Sequence, residues 1–190
     1  MSGVMTGLLT VEEFMALPDD GRRVELVCGE VRELAPAFAV AAVVGSNVMG
    51  LLNEHVRLNR LGRVFMDGAT FALLPHRHSA RSPDVGFIRQ DRLPAEGFRL
   101  GEPIRIPPDL AVEVLSPSER VSTLEAKLAD YREAGTPLIW VIDPETRLVV
   151  VHPADAPSYT LREGDTLTGG RVLPDFRCAV AELFEGVARA

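Results

Sequence analysis

The sequence predicts an α/β fold, a central mixed β-sheet flanked by helices, and three observations carry that prediction. Stretches such as "LAVEVL" (110–115) and "PLIWVIDPETRLVVVHP" (137–153) are short, β-branched and largely apolar, as strands buried on both faces are. Two longer stretches, 38–59 and 122–134, repeat apolar residues at helical spacing. Strand and helix patterns alternate along the chain, which an α/β arrangement requires.

The bulk properties fit this frame. At 190 residues the chain suits one domain spanning 1–190, and 46% hydrophobic with 25% charged residues is an ordinary globular composition. A net charge of −7 argues against coating nucleic acid by bulk charge, while leaving room for a local basic cleft. Two distant cysteines, Cys28 and Cys178, suit a reducing compartment and are expected to be buried thiols. The N-terminal "MSGVMTGLLTVEEF" has no basic, leader-like start. The longest apolar run, "LAPAFAVAAVVGSNVMGLL", is interrupted by Gly45, Ser46, Asn47 and Gly50, so a buried helix is expected rather than a membrane span. Together these give a cytoplasmic expectation with no membrane partner.

Element by element, Thr10-x-x-Glu13 is a capping box that opens a short helix over 11–17. "RRVELVCGEVREL" is a hairpin turning at Cys28–Gly29. A helix over 38–59 shows an apolar face from Val40 to Val56 and ends at Gly62. "RVFMDGATFALLP" suggests a strand pair turning at Asp67–Gly68. "SPDVGFIRQD" is a strand entered through Pro83, residues 89–107 read as a surface loop, and "LAVEVL" is a central strand. Ser122-x-x-Glu125 is a second capping box for a helix that Gly135 stops. Two strong strands then turn at Asp143–Pro144, and short strands with a last helical turn complete the chain.

Glu113 stands inside the "LAVEVL" strand, where an isolated ionised carboxylate is costly. Period two puts Ala111, Glu113 and Leu115 on one face and Val112 and Val114 on the other. If the strand that Asp84 begins is a neighbour, both acids reach one point, and like charges there call for a cation such as Mg²⁺. The alternative is that each acid is solvated or paired with an arginine. Lys127, on the following helix, shares a face with Leu124, Leu128 and Tyr131, from which its ammonium can reach the sheet end; the alternative is a surface lysine.

The order Pro83–Asp84, Glu113 in a strand and then a helical lysine resembles the PD-(D/E)xK nuclease superfamily. "RVELVCGEV", "RSPDVGFI", "PDLAVEVLSPS", "KLADYREAGTPLIWVIDPETR", "YTLREGDTL" and "VLPDFRCAVAELF" together look like the Uma-two family of proposed restriction endonucleases, over about residues 8–186. The resemblance implies a restriction-endonuclease-like fold and a metal-dependent phosphodiesterase site with Asp84 and Glu113 as ligands of Mg²⁺ or Mn²⁺ and Lys127 as the third catalytic residue. Two departures stand out. Leu115 occupies the position where the superfamily has its lysine, so Lys127 takes that role from the helix. "APAFAVAAVV" lacks the histidine that family members carry near the start of the long helix. Glu25 ranks third among the acids, as an additional ligand or as the anchor of an Arg or Lys across the cleft.

Other residues offer weaker chemistry. His76-x-His78 has no third ligand at zinc-site spacing. Arg77, His78 and Arg81, just upstream of Asp84, would supply a local positive field for a phosphate backbone, if their loop is not simply solvated. Trp140 reads as core, and Asp143 as a turn residue. The resulting expectation is a Mg²⁺-dependent endonuclease with DNA as partner, and a homodimer because cutting two strands with one site per chain favours a two-fold pair. A catalytically silent nuclease-fold binding or assembly protein is the alternative, and a hydrolase of a small phosphorylated molecule is a third reading.

Overall fold

A computed structural model describes residues 8–18, 20–34, 38–117 and 120–188. The leader reading, the "APA" at 35–37 and Ser118–Glu119 lie wholly or partly outside the described residues. The elements are α1 (Val11–Met15), β1 (Val24–Val27), β2 (Glu30–Glu33), α2 (Ala39–Asn59), β3 (Gly62–Met66), β4 (Phe71–Leu74), β5 (Ser79–Arg81), β6 (Val85–Arg89) and β7 (Leu110–Val114). After these come α3 (Val121–Glu133), β8 (Leu138–Asp143), β9 (Leu148–Pro153), β10 (Tyr159–Leu161), β11 (Thr166–Gly169), β12 (Leu173–Ala179) and a 3₁₀ turn, Val180–Phe184.

A six-stranded mixed sheet, ordered β10-β9-β8-β7-β6-β3, is the centre of the molecule. Its one parallel pair is β7 with β8, and α3 is the crossover that a parallel connection needs. Period two sorts the side chains as the sequence implies. Val112, Val114, Trp140 and Ile142 face a core shared with Val44, Val48, Leu52 and Val56 of α2. Ala111, Ile139 and Val141 face the other way, toward Leu128 and Tyr131 of α3 and Phe71 of β4. The i, i+4 repeat of α2 gives one continuous apolar stripe, and Asn47 ties that helix to the 3₁₀ turn by donating to the carbonyls of Leu183 and Glu185.

A second sheet, β2-β1-β5-β4, stands beside the first and is covered by α1, whose Thr10–Glu13 capping box forms as expected. Here the structure departs from several local expectations. β3 and β4 do not form a hairpin: β3 pairs with β6 and β4 with β5, so the Asp67–Gly68 turn carries the chain from one sheet to the other. Helix α2 ends at Arg60, in the left-handed region at φ 52°, rather than at Gly62. Gly62 instead opens β3 at φ 151°, where a Cβ would lie 2.0 Å from the Ile88 carbonyl oxygen. Helix α3 starts after Arg120, with no side-chain cap, so the Ser122–Glu125 box does not form. Cys28, at φ 50° in the hairpin turn, is exposed, while Cys178 is buried. Among the described residues no helix is long and apolar enough to cross a membrane.

Candidate active site

Strands β6 and β7 are antiparallel neighbours with Val85 opposite Val112. Continuing that register by one residue sets Asp84 opposite Glu113, the position at which cross-strand side chains lie side by side. Asp84 sits just outside β6, and its Oδ2 accepts the Val114 N–H at 2.6 Å, so the carboxylate continues the ladder where the backbone leaves it. Its other oxygen has no hydrogen-bond donor among the described residues.

Helix α3 lies over the Glu113 face of the sheet. Lys127 Nζ donates to Glu113 Oε2 at 2.6 Å, and the Tyr131 hydroxyl donates to Oε1 at 2.7 Å. The i, i+4 spacing of Lys127 and Tyr131 puts both on one helix face, so two donors converge on a carboxylate that is 1% exposed. Burial pushes the Glu113 carboxyl up to about 7; the Lys127 ammonium opposes the shift and the Asp84 carboxylate adds to it. Burial likewise raises Asp84, against the Val114 hydrogen bond and the Lys127 charge. The Tyr131 phenol is held well above its usual range by burial and by the neighbouring Glu113 carboxylate.

Beside this group lies a second buried one. Glu25 Oε2 accepts from Arg81 Nη1 at 2.9 Å, and its Oε1 accepts the Ser82 N–H at 2.9 Å. On its far side Arg81 donates to Asp130 through Nε at 2.8 Å. A cavity of about 500 Å³ opens above both groups, walled by the β1–β2 hairpin on one side and the first turns of α3 on the other, with Asp84, Arg81 and Lys127 in its lining.

A model for a family described as "Putative restriction endonuclease", Uma2, matches residues 11–181. The chain belongs to the Uma2 family. Among solved structures, the crystal structure of "a putative nuclease belonging to DUF820" from Anabaena variabilis is similar, with a TM-score of 0.80 at 20% identity over 93% of this chain and 97% of that one. Among curated proteins none matches. The Uma2 fold is therefore present almost throughout, and with it the restriction-endonuclease-like architecture expected from the sequence.

Whether the site suits a metal is a question of its own donor set. Among the described residues no group of three or more His, Cys, Asp and Glu is arranged around a point, which disfavours an all-protein cage of the zinc type. Two adjacent carboxylates are what Mg²⁺ or Mn²⁺ takes when water and phosphate complete the shell. Burial raises both carboxyls, so their ionised forms are costly there and a cation placed between them would favour ionisation. The residues fit such an ion.

The structure brings Asp84, Glu113 and Lys127 together and places Glu25 one group away, holding Arg81. It separates the other candidates. Arg81 lines the cavity but is 2% exposed and bound to two acids. Arg77 and His78 are not in the lining; Arg77 pairs with Glu133, and His76 lies 3.5 Å from the same acid. Trp140 is wholly buried, and Asp143 caps its turn by accepting from Glu145 and Thr146. Sequence reasoning named Arg81 and Lys127 but missed three further cations of the lining, Arg23, Arg32 and Arg120. Arg32 was within reach: the turn at Cys28–Gly29 sets Glu25 opposite Arg32 by counting alone.

Proposed function

We propose that this Uma2 protein is a metal-dependent phosphodiester hydrolase of the PD-(D/E)xK type, with DNA as substrate. The observation that carries this reading is the cross-strand pair Asp84–Glu113, with the Lys127 ammonium 2.6 Å from Glu113, at a cavity wall. Asp84 and Glu113 would hold Mg²⁺ or Mn²⁺. Such an ion, when bound, supplies Lewis-acid neutralisation of the charge that grows on the scissile phosphate and lowers the pKa of water.

The chain's own groups do the remaining work. Tyr131 fixes Oε1 of Glu113, so the carboxylate keeps one orientation. The Val114 N–H does the same for Asp84. Lys127, a compact charge with rotatable donors, orients the attacking water or holds a phosphate oxygen as negative charge develops there. Glu25 and Arg81 fasten the β1–β2 wall to β5 and α3, which keeps the cavity's shape.

The test is cleavage of plasmid DNA with Mg²⁺ or Mn²⁺ and with chelator. Asp84→Asn and Glu113→Gln should each lower the metal-dependent rate at least about a hundredfold, with the fold retained by circular dichroism. Lys127→Ala should lower turnover and leave metal affinity, read by calorimetry, closer to wild type than the acid variants do. Undiminished cleavage in the Asp84→Asn/Glu113→Gln double variant would falsify the proposal. A second reading rests on one observation: Lys127 and Tyr131 satisfy both Glu113 oxygens, as in a purely structural ion pair, and a nuclease fold kept for binding alone would look the same.

A further inference from the structure

Resting on the nuclease reading, we infer that Arg23, presented by Asp67, holds the scissile phosphate from the side of Asp84 opposite Lys127. The strand register comes first. β3 and β6 are antiparallel with Met66 opposite Val85, so one further residue sets Asp67 opposite Asp84. β6 and β7, with Val85 opposite Val112, set Asp84 opposite Glu113 in the same way. Three carboxylates thus form a row across β3, β6 and β7 on one side of the sheet, neighbours standing about 5 Å apart. Asp84 is the middle one.

Each end of the row carries a cation. Lys127 Nζ donates to Glu113 at 2.6 Å, and Arg23 Nη2 donates to both oxygens of Asp67 at 2.6 Å. Both charges reach the acid between them. Burial raises the Asp84 carboxyl, the Val114 hydrogen bond and the Lys127 charge lower it, Asp67 raises it and Arg23 lowers it. The backbone explains how Arg23 arrives there. It immediately precedes β1, two residues before Glu25 and on the same side of the strand by the period of two. Glu25 accepts the Ser82 N–H, which fixes β1 beside the segment that leads into Asp84. Arg23 and Asp84 accordingly line the same cavity.

The two end cations differ in what they can still offer. Lys127 is buried against Glu113. The Arg23 side chain is 35% exposed, and Asp67 occupies its Nη2 alone, so its Nε and Nη1 donate to no described residue. An arginine held by one nitrogen keeps its orientation and presents its other N–H groups to a second acceptor, and their planar array suits phosphate oxygens. The remaining cations of the lining are placed otherwise. Arg81 is buried between Glu25 and Asp130. Arg32 pairs with Glu30 and Arg120 precedes α3, and neither is bonded to a member of the row. A diester standing over Asp84 therefore has Arg23 on one side and Lys127 on the other. Arg23 takes the charge that grows on the non-bridging oxygens, and Lys127 is left to orient the water.

The test has two readouts on the full chain. The first is hydrolysis of bis(p-nitrophenyl) phosphate with Mn²⁺. Arg23→Ala should lower kcat at least about tenfold while KM, and Mn²⁺ affinity by calorimetry, stay within about threefold. Asp67→Asn keeps an acceptor for Arg23 and removes a charge that opposes phosphate, so it should lower kcat less than about threefold. Equal losses in the two variants would overturn the inference, because an ion pair that only fastens β1 to the β3–β4 turn is broken alike from either end. The second readout needs no turnover. In Mg²⁺, the Arg23 Nε–H resonance, assigned by its disappearance in Arg23→Ala, should shift saturably with dimethyl phosphate and stay put with uncharged trimethyl phosphate. No response to dimethyl phosphate would also overturn the inference. A wild-type chain that gives this response but hydrolyses no diester would sink the nuclease reading while supporting the grip of Arg23 on phosphate.

Discussion

Two buried clusters lie side by side under the cavity, and each contains two carboxylates and one cation. In the first, Arg81 binds Glu25 at 2.9 Å and Asp130 at 2.7 Å, so both acids touch the guanidinium. In the second, Lys127 touches Glu113 at 2.6 Å, while Asp84 has a backbone N–H for its partner. Equal charge counts thus give unequal neutralisation. A planar fork satisfies two acids at once, whereas in the second cluster burial raises both Glu113 and Asp84, and the Asp84 charge adds to the shift at Glu113. The Arg81 cluster is built as a brace, and the Lys127 cluster is left receptive to another cation.

The sharpest way to break this comparison is to remove the brace. Arg81→Met leaves Glu25 and Asp130 buried without their cation, and losing one partner of a buried pair costs about 3–5 kcal/mol. Urea unfolding near neutral pH should show that loss. Lys127→Met should lose less, because Glu113, already at about 7, can take up a proton in place of its partner. Equal losses in the two variants would mean that the clusters do the same job.

How far the sequence reveals these clusters depends on how local each feature is. Period two in "LAVEVL" set Glu113 on the face opposite Val112 and Val114, and helical spacing set Lys127 on one face with Tyr131, because both patterns are short-range; that α3 covers the Glu113 face came from the structure. The Uma2 motifs, recognisable along most of the chain, carried the architecture. The brace was far less visible. β5 is three residues long and polar at both ends, so Ser79–Arg81 read as loop and Arg81 as a loop cation. Its partners lie 56 and 49 residues away, a pairing that no local pattern encodes. Asp67–Gly68 misled for a related reason: the dipeptide specifies a tight turn, and which strands flank it was decided by edges elsewhere, at β6 and β5. Tyr131 was placed on the Lys127 face of its helix, where it lies, but its hydroxyl's bond to Glu113 follows from how α3 sits on the sheet.

A middle-sized effect follows from the Glu113 proton. Its folded-state carboxyl is raised from 4.5 to about 7, so the native chain binds the proton more tightly than the unfolded chain does. The stability this contributes is complete below the unfolded value and disappears as pH rises through about 7, a loss of at most about 3 kcal/mol. Unfolding midpoints should therefore fall from pH 5 to pH 8 in chelator. Mg²⁺ should restore more at pH 8 than at pH 5, since binding to the native state adds stability by mass action and needs the ionised carboxylate. A Glu113→Gln chain that keeps the same pH slope would show that the proton sits on another group.

The finest test separates Glu113 from the brace through Tyr131. Tyr131→Phe removes one donor from Oε1 and leaves the ring, the Lys127 contact and the Arg81 cluster in place. A hydrogen bond to an ionised group contributes about 1.5 kcal/mol or somewhat more, so the stability loss at pH 8 should be near that value and smaller at pH 5, where the carboxyl is protonated. Losing a donor to the charged form raises a carboxyl further, by about one pH unit for about 1.4 kcal/mol. The pH at which Mg²⁺ or Mn²⁺ binding is half-developed should move up by that amount, measured by calorimetry across the neutral range. An unmoved midpoint with an intact fold would mean that Lys127 and burial alone poise Glu113, and that the hydroxyl serves only to satisfy a buried oxygen.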